Sequence, residues 1–146
     1  MSYLTFNNGI MKHSGVVDGI FLVAAVAAFL LGGGNSQAQT RSIEGSWRGS
    51  GYLKPASGAR EKVRCRVSYS KINNDLFSFS GTCASSAGSI RQTGQISRAS
   101  RTRYIGSFNN SQYGVSGRIR VVVSGSRQTV FLTGGQGSGQ LRLSKK

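Results

Sequence analysis

From Ser42 to the C-terminus, apolar and polar residues alternate, so that every second side chain belongs to the same face. A period of two is the period of a β-strand, and no stretch of this region has the spacing of an amphipathic helix. The predicted strands are Ser42–Lys54, Glu61–Lys71, Leu76–Ala84, Ile90–Ile96, Tyr104–Phe108, Tyr113–Val123, Arg127–Thr133 and an eighth that contains Leu141 and Leu143. Short connections rich in Gly, Ser and Asn separate them. The pattern predicts an all-β fold, an eight-stranded antiparallel up-and-down barrel rather than a β-sandwich.

The second and third predicted strands each carry one of the two cysteines. If the turn between them is centred on Asn74, Cys65 lies opposite Cys83. The same register places Tyr69 opposite Phe79, so inward residues meet inward residues. Directly opposed Cβ atoms are about 4.5–5.5 Å apart, close to disulfide geometry. The sequence therefore predicts a disulfide worth about 3 kcal/mol; a metal site is the alternative, but no histidine and no CxxC motif accompany these cysteines.

Three other connections predict a register. The turn at residues 125–126 aligns Val121 with Val130. The turn at residues 134–137 is expected to place Leu141 opposite Leu132 and Leu143 opposite Val130. Residues 109–112 are expected to form the tight hairpin between the fifth and sixth strands.

The N-terminal part of the chain has the features of a secretory signal peptide. An apolar run at residues 20–31 follows a short basic stretch and precedes a small-x-small site made by Ser36 and Ala38. This arrangement predicts a leader at residues 1–38 and a single β-barrel domain at residues 39–146. The domain would then be exported to the periplasm or the extracellular space.

Two alternatives to this leader stay open. Translation beginning at Met11 would give a shorter leader of the same kind. An uncleaved membrane anchor would need the apolar zone to extend back to Val16, which includes Asp18 and is barely long enough to span a bilayer.

The chain carries a net charge of +15 at pH 7. Removal of the predicted leader takes away one lysine and one aspartate, so this charge is unchanged. Positive charge at this density attracts polyanions through long-range fields. The alternative is that the charge serves solubility alone.

The outward faces of the predicted strands group these charges into two sectors. The first sector consists of Arg48, Lys62, Arg64, Arg66 and Arg142, and the second of Arg103, Arg118 and Arg120. The first requires a register that sets Tyr52 beside Arg64 and Ser50 beside Arg66. Like charges directly across strands cost stability, so a bound counter-charge is expected. A solvated basic face is the alternative.

The first sector also requires barrel closure to bring Arg142 beside Arg48, and the second requires Arg103 to lie across from Arg118. Outward aromatic residues are few, essentially Tyr52 and Phe131. Specific recognition of single-stranded nucleic acid is therefore disfavoured.

Most catalytic chemistry is excluded by composition. The only histidine, His13, lies in the predicted leader, so Ser–His and Cys–His nucleophiles are not available. The three acids of the predicted domain, Glu44, Glu61 and Asp75, form no recognisable catalytic pair. The glycine-rich residues 134–139 lack the lysine and helix of a phosphate loop. We expect neither an enzyme nor a bound cofactor or metal.

The tripeptide Gly45-Ser46-Trp47 at the head of the first strand resembles the Gly-x-Trp start of lipocalin and avidin-like barrels. The resemblance implies that Trp47 plugs one end of the barrel and that Arg142 on the last strand packs across it. Avidin-like biotin sites use several tryptophans, whereas Trp47 is the only one here, so biotin is disfavoured.

The general plan is similar to that of bacterial metalloprotease inhibitors, which are small exported eight-stranded barrels with one disulfide. It also resembles small exported β-barrel proteins of Gram-negative bacteria that have no assigned function, a resemblance that implies no activity.

Three functions follow, in order of preference. The first is a binding protein for anionic polymers such as lipopolysaccharide, acidic polysaccharide or shed nucleic acid. The second is a protein-binding or inhibitory barrel that uses residues 39–43 or a loop, with another exported protein as partner. The third is a small-ligand carrier, ranked last because the large inward residues are expected to fill a short barrel.

Overall fold

The computed structural model describes residues 42–146, which form a closed eight-stranded antiparallel barrel as predicted. The strands are β1 (Gly45–Pro55), β2 (Glu61–Lys71), β3 (Leu76–Ser85), β4 (Gly88–Arg98), β5 (Arg103–Asn110), β6 (Val115–Ser124), β7 (Arg127–Gly134) and β8 (Gly137–Lys145). Each strand pairs with its neighbours in the chain, and β8 closes the barrel against β1. The predicted leader and its cleavage site lie outside the described residues, within which no helix is long and apolar enough to cross a membrane.

The predicted β2–β3 hairpin is confirmed. Cys65 lies opposite Cys83 and Tyr69 lies opposite Phe79. The cysteines form a disulfide with their Cα atoms 4.1 Å apart. Strict alternation along β2 buries Val63 and every second residue after it as far as Tyr69, because one face of the strand lines the interior of the barrel.

The registers of the last two hairpins differ in how well the sequence predicts them. The β6–β7 turn places Val121 opposite Val130, as expected. The expected β7–β8 register is wrong by two residues, since Leu141 lies opposite Val130 and Gly139 opposite Leu132. The cause is a shorter connection, because pairing continues to Gly134 and Gly137 and leaves a two-residue turn. A two-residue shift keeps inward residues inward, so the core is unaffected.

The core is concentrated at one end of the barrel, which we call the closed end. This end holds the turns β2–β3, β4–β5 and β6–β7. Its largest fully buried side chains are Ile43, Trp47, Phe77, Ile96 and Tyr104. The rings of Phe77 and Tyr104 meet edge to face with their centroids 5.6 Å apart, a favourable arrangement for aromatic pairs. The other end, with the turns β1–β2, β3–β4, β5–β6 and β7–β8, is called the open end.

Trp47 is fully buried at the closed end, near the start of β1. Its Nε1–H donates a hydrogen bond of 2.7 Å to the carbonyl oxygen of Ile43. Lys145, its direct partner on β8, donates a hydrogen bond from Nζ to the carbonyl of Ser42 and lies 5.5 Å from the centre of the Trp47 ring. The expectation that Arg142 packs across Trp47 is wrong, because Arg142 lies opposite Ser50 and is exposed.

Candidate functional site

The first predicted basic sector lies on the outer face of β8, β1 and β2. Its members are all exposed: Arg48, Lys62, Arg64, Arg66 and Arg142. Their outward direction follows from the alternation of the strands, in which the intervening residues enter the core. Whether they bind a polyanion stays a prediction.

The pairing predicted within this sector is wrong by two residues. Ser50 lies between Arg64 on β2 and Arg142 on β8, and Arg48 lies directly opposite Arg66. The predicted register would leave residues 54–62 between Leu53 and its partner on β2, whereas the observed pairing of Leu53 with Glu61 leaves the shorter connection 54–60. The expectation that barrel closure brings Arg142 beside Arg48 is also wrong, since Arg48 lies opposite Ser144 on β8. The arginine directly opposite Arg48 is Arg66 on β2.

A shallow groove runs over the outer surface of β1, β2 and β3, with a volume of about 800 Å³. Arg48, Arg64 and Arg66 line it, together with Thr82. Gly49 forms part of the floor, where β1 and β8 approach so closely that a Cβ at this position would overlap the carbonyl oxygen of Arg142. Three arginines and several small residues therefore line the groove.

The second predicted basic sector does not form as expected. Arg103 lies opposite Val122, Arg118 opposite Ser107 and Arg120 opposite Ile105, so Arg103 and Arg118 are not paired. The difference arises at the β5–β6 connection, which is the four-residue turn 111–114 rather than a tight hairpin at 109–112.

Two residues of that connection explain the four-residue shift. Asn110 extends β5, is buried, and accepts a hydrogen bond through Oδ1 from the backbone N–H of Tyr113. Gly114 closes the turn with a φ of 63°, a left-handed conformation that glycine adopts without strain. As a result Tyr113, predicted to be an inward residue of the sixth strand, lies in the turn and is 59% exposed.

Acidic residues do not neutralise the groove. Within residues 42–146, the ion pair between Arg98 and Asp75, at 3.6 Å, is the only one. It lies near the closed end, where the β2–β3 and β4–β5 turns meet. In the same part of the chain, no group of three or more His, Cys, Asp or Glu residues could hold a metal ion. Within the described part of the chain, the arginines of the groove therefore form no ion pair.

Two outward aromatic rings lie beneath arginines. The guanidinium carbon of Arg60 lies 3.5 Å from the centre of the Tyr52 ring, and that of Arg120 lies 4.4 Å from the centre of the Phe131 ring. The hydroxyl of Tyr52 donates a hydrogen bond of 3.1 Å to Oε1 of Gln140. Arg60 is absent from both predicted sectors, because it precedes β2 and strand alternation gives no direction for it.

The open end of the barrel contains a cavity of about 370 Å³. Its apolar lining includes Leu53, Ile90, Phe108, Val115 and Leu132. Gln92, Asn110, Gln136 and Ser138 add polar groups to the wall. The volume falls in the range of small-molecule sites, and a mainly apolar wall with a few polar groups is typical of them. The expectation that the inward residues fill the barrel holds at the closed end and is wrong at the open end.

Below this cavity the barrel is packed. The interior space bounded by Tyr69, Phe79 and Ile119 measures about 20 Å³, which is room for one water molecule. A molecule entering the open end would therefore stop above this level.

The hydroxyl of Tyr69 and the side-chain amide of Gln128 are buried, and no partner within residues 42–146 gives either of them a well-formed hydrogen bond. Burial raises the pKa of the Tyr69 hydroxyl well above its ordinary value, and the nearby Gln128 amide offsets only part of that rise. Tyr69 is therefore a neutral core residue at physiological pH, not a candidate acid or base.

No protein-family model and no curated protein matches the chain. Solved structures do match. The redesigned β barrel mFAP1, solved bound to DFHBI, has a TM-score of 0.59 and 12% identity, covering 75% of this chain and 97% of that one. A de novo designed fluorescence-activating β barrel has a TM-score of 0.55 and 16% identity, covering 71% of this chain and 94% of that one.

A natural protein, Rv2717c from M. tuberculosis, has a TM-score of 0.51 and 11% identity, covering 71% of this chain and 92% of that one. At these identities the similarity shows the fold alone, a small eight-stranded β-barrel. It assigns no family.

Proposed function

We propose that this protein is a non-catalytic binding protein for anionic polymers, exported to the periplasm or the extracellular space. The observation that carries the proposal is the groove on β1–β3, where Arg48, Arg64 and Arg66 converge with no acidic partner among the described residues. The Cys65–Cys83 disulfide of the protein is typical of proteins in an oxidising compartment outside the cytoplasm. The anionic polymers that fit are acidic polysaccharide and lipopolysaccharide.

Repulsion between the arginines of the groove favours the binding of an anionic group there. Arg48 and Arg66 lie directly opposite each other on β1 and β2, and like charges in such pairs destabilise a sheet. An anionic group between them removes that repulsion. Binding to a polyelectrolyte also releases its condensed counterions, so affinity falls steeply as salt rises.

Retention on immobilised heparin tests the proposal. We expect the protein to bind at low salt and to elute earlier when Arg64 and Arg66 are both replaced by Glu. The matched control replaces Arg101 and Arg127, which are exposed at the closed-end turns, with the same charge change. Equal loss in both double variants would show that net charge alone matters, and absent retention of the wild type would refute the proposal.

A second candidate function is carriage of a small, mainly apolar molecule in the open-end cavity. The observation that favours it is the 370 Å³ volume bounded by apolar side chains. Replacing the half-buried Val115 by Phe should fill part of this space and weaken uptake of an apolar fluorescent probe, while heparin retention stays unchanged. Equal probe binding by wild type and V115F would argue against the cavity.

For the protein-binding alternative, part of the predicted contact segment at residues 39–43 is not accessible to a partner. Residue Ile43, the last of the predicted contact segment, is fully buried, and its carbonyl accepts the Trp47 hydrogen bond. Residues 39–41 lie outside the described residues. A partner captured from a periplasmic or secreted fraction that stays bound at high salt would favour a protein contact over the polyanion.

A further inference from the structure

A single row of outward side chains crosses five neighbouring strands of the barrel. Reading from β6 through β7, β8 and β1 to β2, directly opposed residues are Arg120, Phe131, Gln140, Tyr52 and Lys62. We call this set the aromatic row. It shares Lys62 with the first basic sector and lies two residues along β1 from Ser50, the residue flanked by Arg64 and Arg142.

The rings of the aromatic row are half-buried, and exposed arginines cover them: Arg120 of the row itself and Arg60, which precedes β2. Tyr52, Phe131 and Gln140 are half-buried, whereas Arg60 and Arg120 are exposed and cover the two rings. The hydrogen bond from the Tyr52 hydroxyl to Gln140 fixes the first ring across the β1–β8 seam. Arg60 therefore rests on a ring that a hydrogen bond restrains, and Arg120 rests on a half-buried ring.

An arginine whose guanidinium lies over a ring differs from an ordinary surface arginine. A free arginine side chain loses rotamer entropy when it binds, which weakens the complex. Cation–π contact restrains the guanidinium in advance and leaves its N–H groups at the edge of the plane. Those N–H groups form a fork that fits the two oxygens of a carboxylate or a sulfate.

We propose that Arg60 and Arg120 are pre-organised, specificity-determining contacts for an acidic polysaccharide, held in place by Tyr52 and Phe131. This inference rests on the proposed polyanion-binding function and assigns the directional part of that binding to the aromatic row. The groove arginines contribute the long-range attraction.

Polysaccharide is favoured over nucleic acid by the state of the two rings. Bases stack on open aromatic faces, and here a guanidinium group already covers each ring. The Gln140 amide in the row, with Ser50 and Ser138 two residues away on β1 and β8, offers hydrogen bonds to sugar hydroxyls. The row therefore lacks the open ring faces on which bases stack, and it offers polar groups to which sugar hydroxyls can hydrogen-bond.

The test removes the rings and keeps the charge. Calorimetric titration with a heparin oligosaccharide of one defined length would compare wild type with Tyr52→Leu, Phe131→Leu and the double variant. We expect affinity at fixed salt to fall by about three- to tenfold for each ring. The slope of log affinity against log salt should not change, because the number of neutralised anionic groups is the same. Tyr113→Leu, which removes an exposed ring outside the row, should bind as wild type.

A second pair of variants avoids any effect of the rings on folding. Arg60→Lys and Arg120→Lys retain the charge but lose the planar fork, and both sites are exposed. We expect each to weaken binding more than Arg142→Lys, an exposed control for which residues 42–146 provide no stacked ring.

The outcomes separate the two proposals. If wild type binds heparin and all these variants bind equally well, the aromatic row has no special role and this inference is wrong, while the polyanion function stands. If wild type does not bind at low salt, the function itself is wrong. Tighter binding of single-stranded DNA than of heparin, lost in Tyr52→Leu, would overturn the polysaccharide assignment.

Discussion

Replacement of Trp47 by Phe should destabilise the protein strongly, although the site remains aromatic. Trp47 is fully buried, and its Nε1–H is hydrogen-bonded to the carbonyl of Ile43 at 2.7 Å. Phenylalanine keeps most of the apolar contact but offers no donor, so the Ile43 carbonyl is left buried without its partner. The substitution also removes one ring of the indole and leaves unfilled space at the closed end.

The magnitude follows from these two losses. A buried polar group left unsatisfied costs about 1–3 kcal/mol, and the lost ring contacts add about 1–2 kcal/mol of transfer and cavity free energy. The free energy of unfolding should therefore fall by about 2–5 kcal/mol. For a domain of this size each kcal/mol corresponds to about 4–8 °C in Tm.

Urea and thermal unfolding followed by far-ultraviolet circular dichroism measure this change in both proteins, since the variant lacks tryptophan fluorescence. Tyr113→Phe is the control, because this ring is exposed and its loss of a hydroxyl should cost less than about 0.5 kcal/mol. A destabilisation of W47F below about 1 kcal/mol would refute the reasoning that the indole hydrogen bond secures the closed end.

Three further predictions concern the barrel itself. Replacing Cys65 and Cys83 together by Ala should lower the free energy of unfolding by about 3 kcal/mol in urea titrations, and a reductant should shift the wild type alone. Gly49→Ala forces a Cβ against the Arg142 carbonyl and should cost about 1–3 kcal/mol by the same assay, an effect that a normal Tm would contradict. Burial raises the pKa of Tyr69 in the folded state, so its stabilising contribution is complete below the unfolded pKa of about 10 and is lost as pH rises through the folded pKa. Tyr69→Phe should therefore unfold less readily than wild type at strongly alkaline pH, and equal alkaline unfolding profiles would contradict this.

The parts of the fold that the sequence predicts are those set by short-range pattern. Alternation determines which residues face inward, and a compact turn near Asn74 aligns Cys65 with Cys83 correctly. The register fails where the connection length is ambiguous. Around Gly134 and around Asn110, glycine and polar residues are compatible with turns of more than one length, and backbone pairing decides among them.

The candidate sites depend on information that alternation does not contain. The open-end cavity exists because the largest inward side chains, Trp47, Phe77 and Tyr104, lie at the closed end. Because the odd-numbered strands of an up-and-down barrel all begin at the same end, the predicted topology already implies that these three residues share one end. The space that remains at the other end follows only from the packed structure. The stacking of Arg60 on Tyr52 depends on where a long side chain outside any strand comes to rest, which no periodic pattern specifies.

The salt dependence of heparin affinity is the most direct test of the central claim that the arginine groove binds anionic polymers. Calorimetric titrations at several salt concentrations would compare wild type with Arg64→Gln and Arg66→Gln. The slope of log affinity against log salt should become shallower by about one for each arginine removed. An unchanged slope and affinity in both variants would show that these arginines do not contact the polymer.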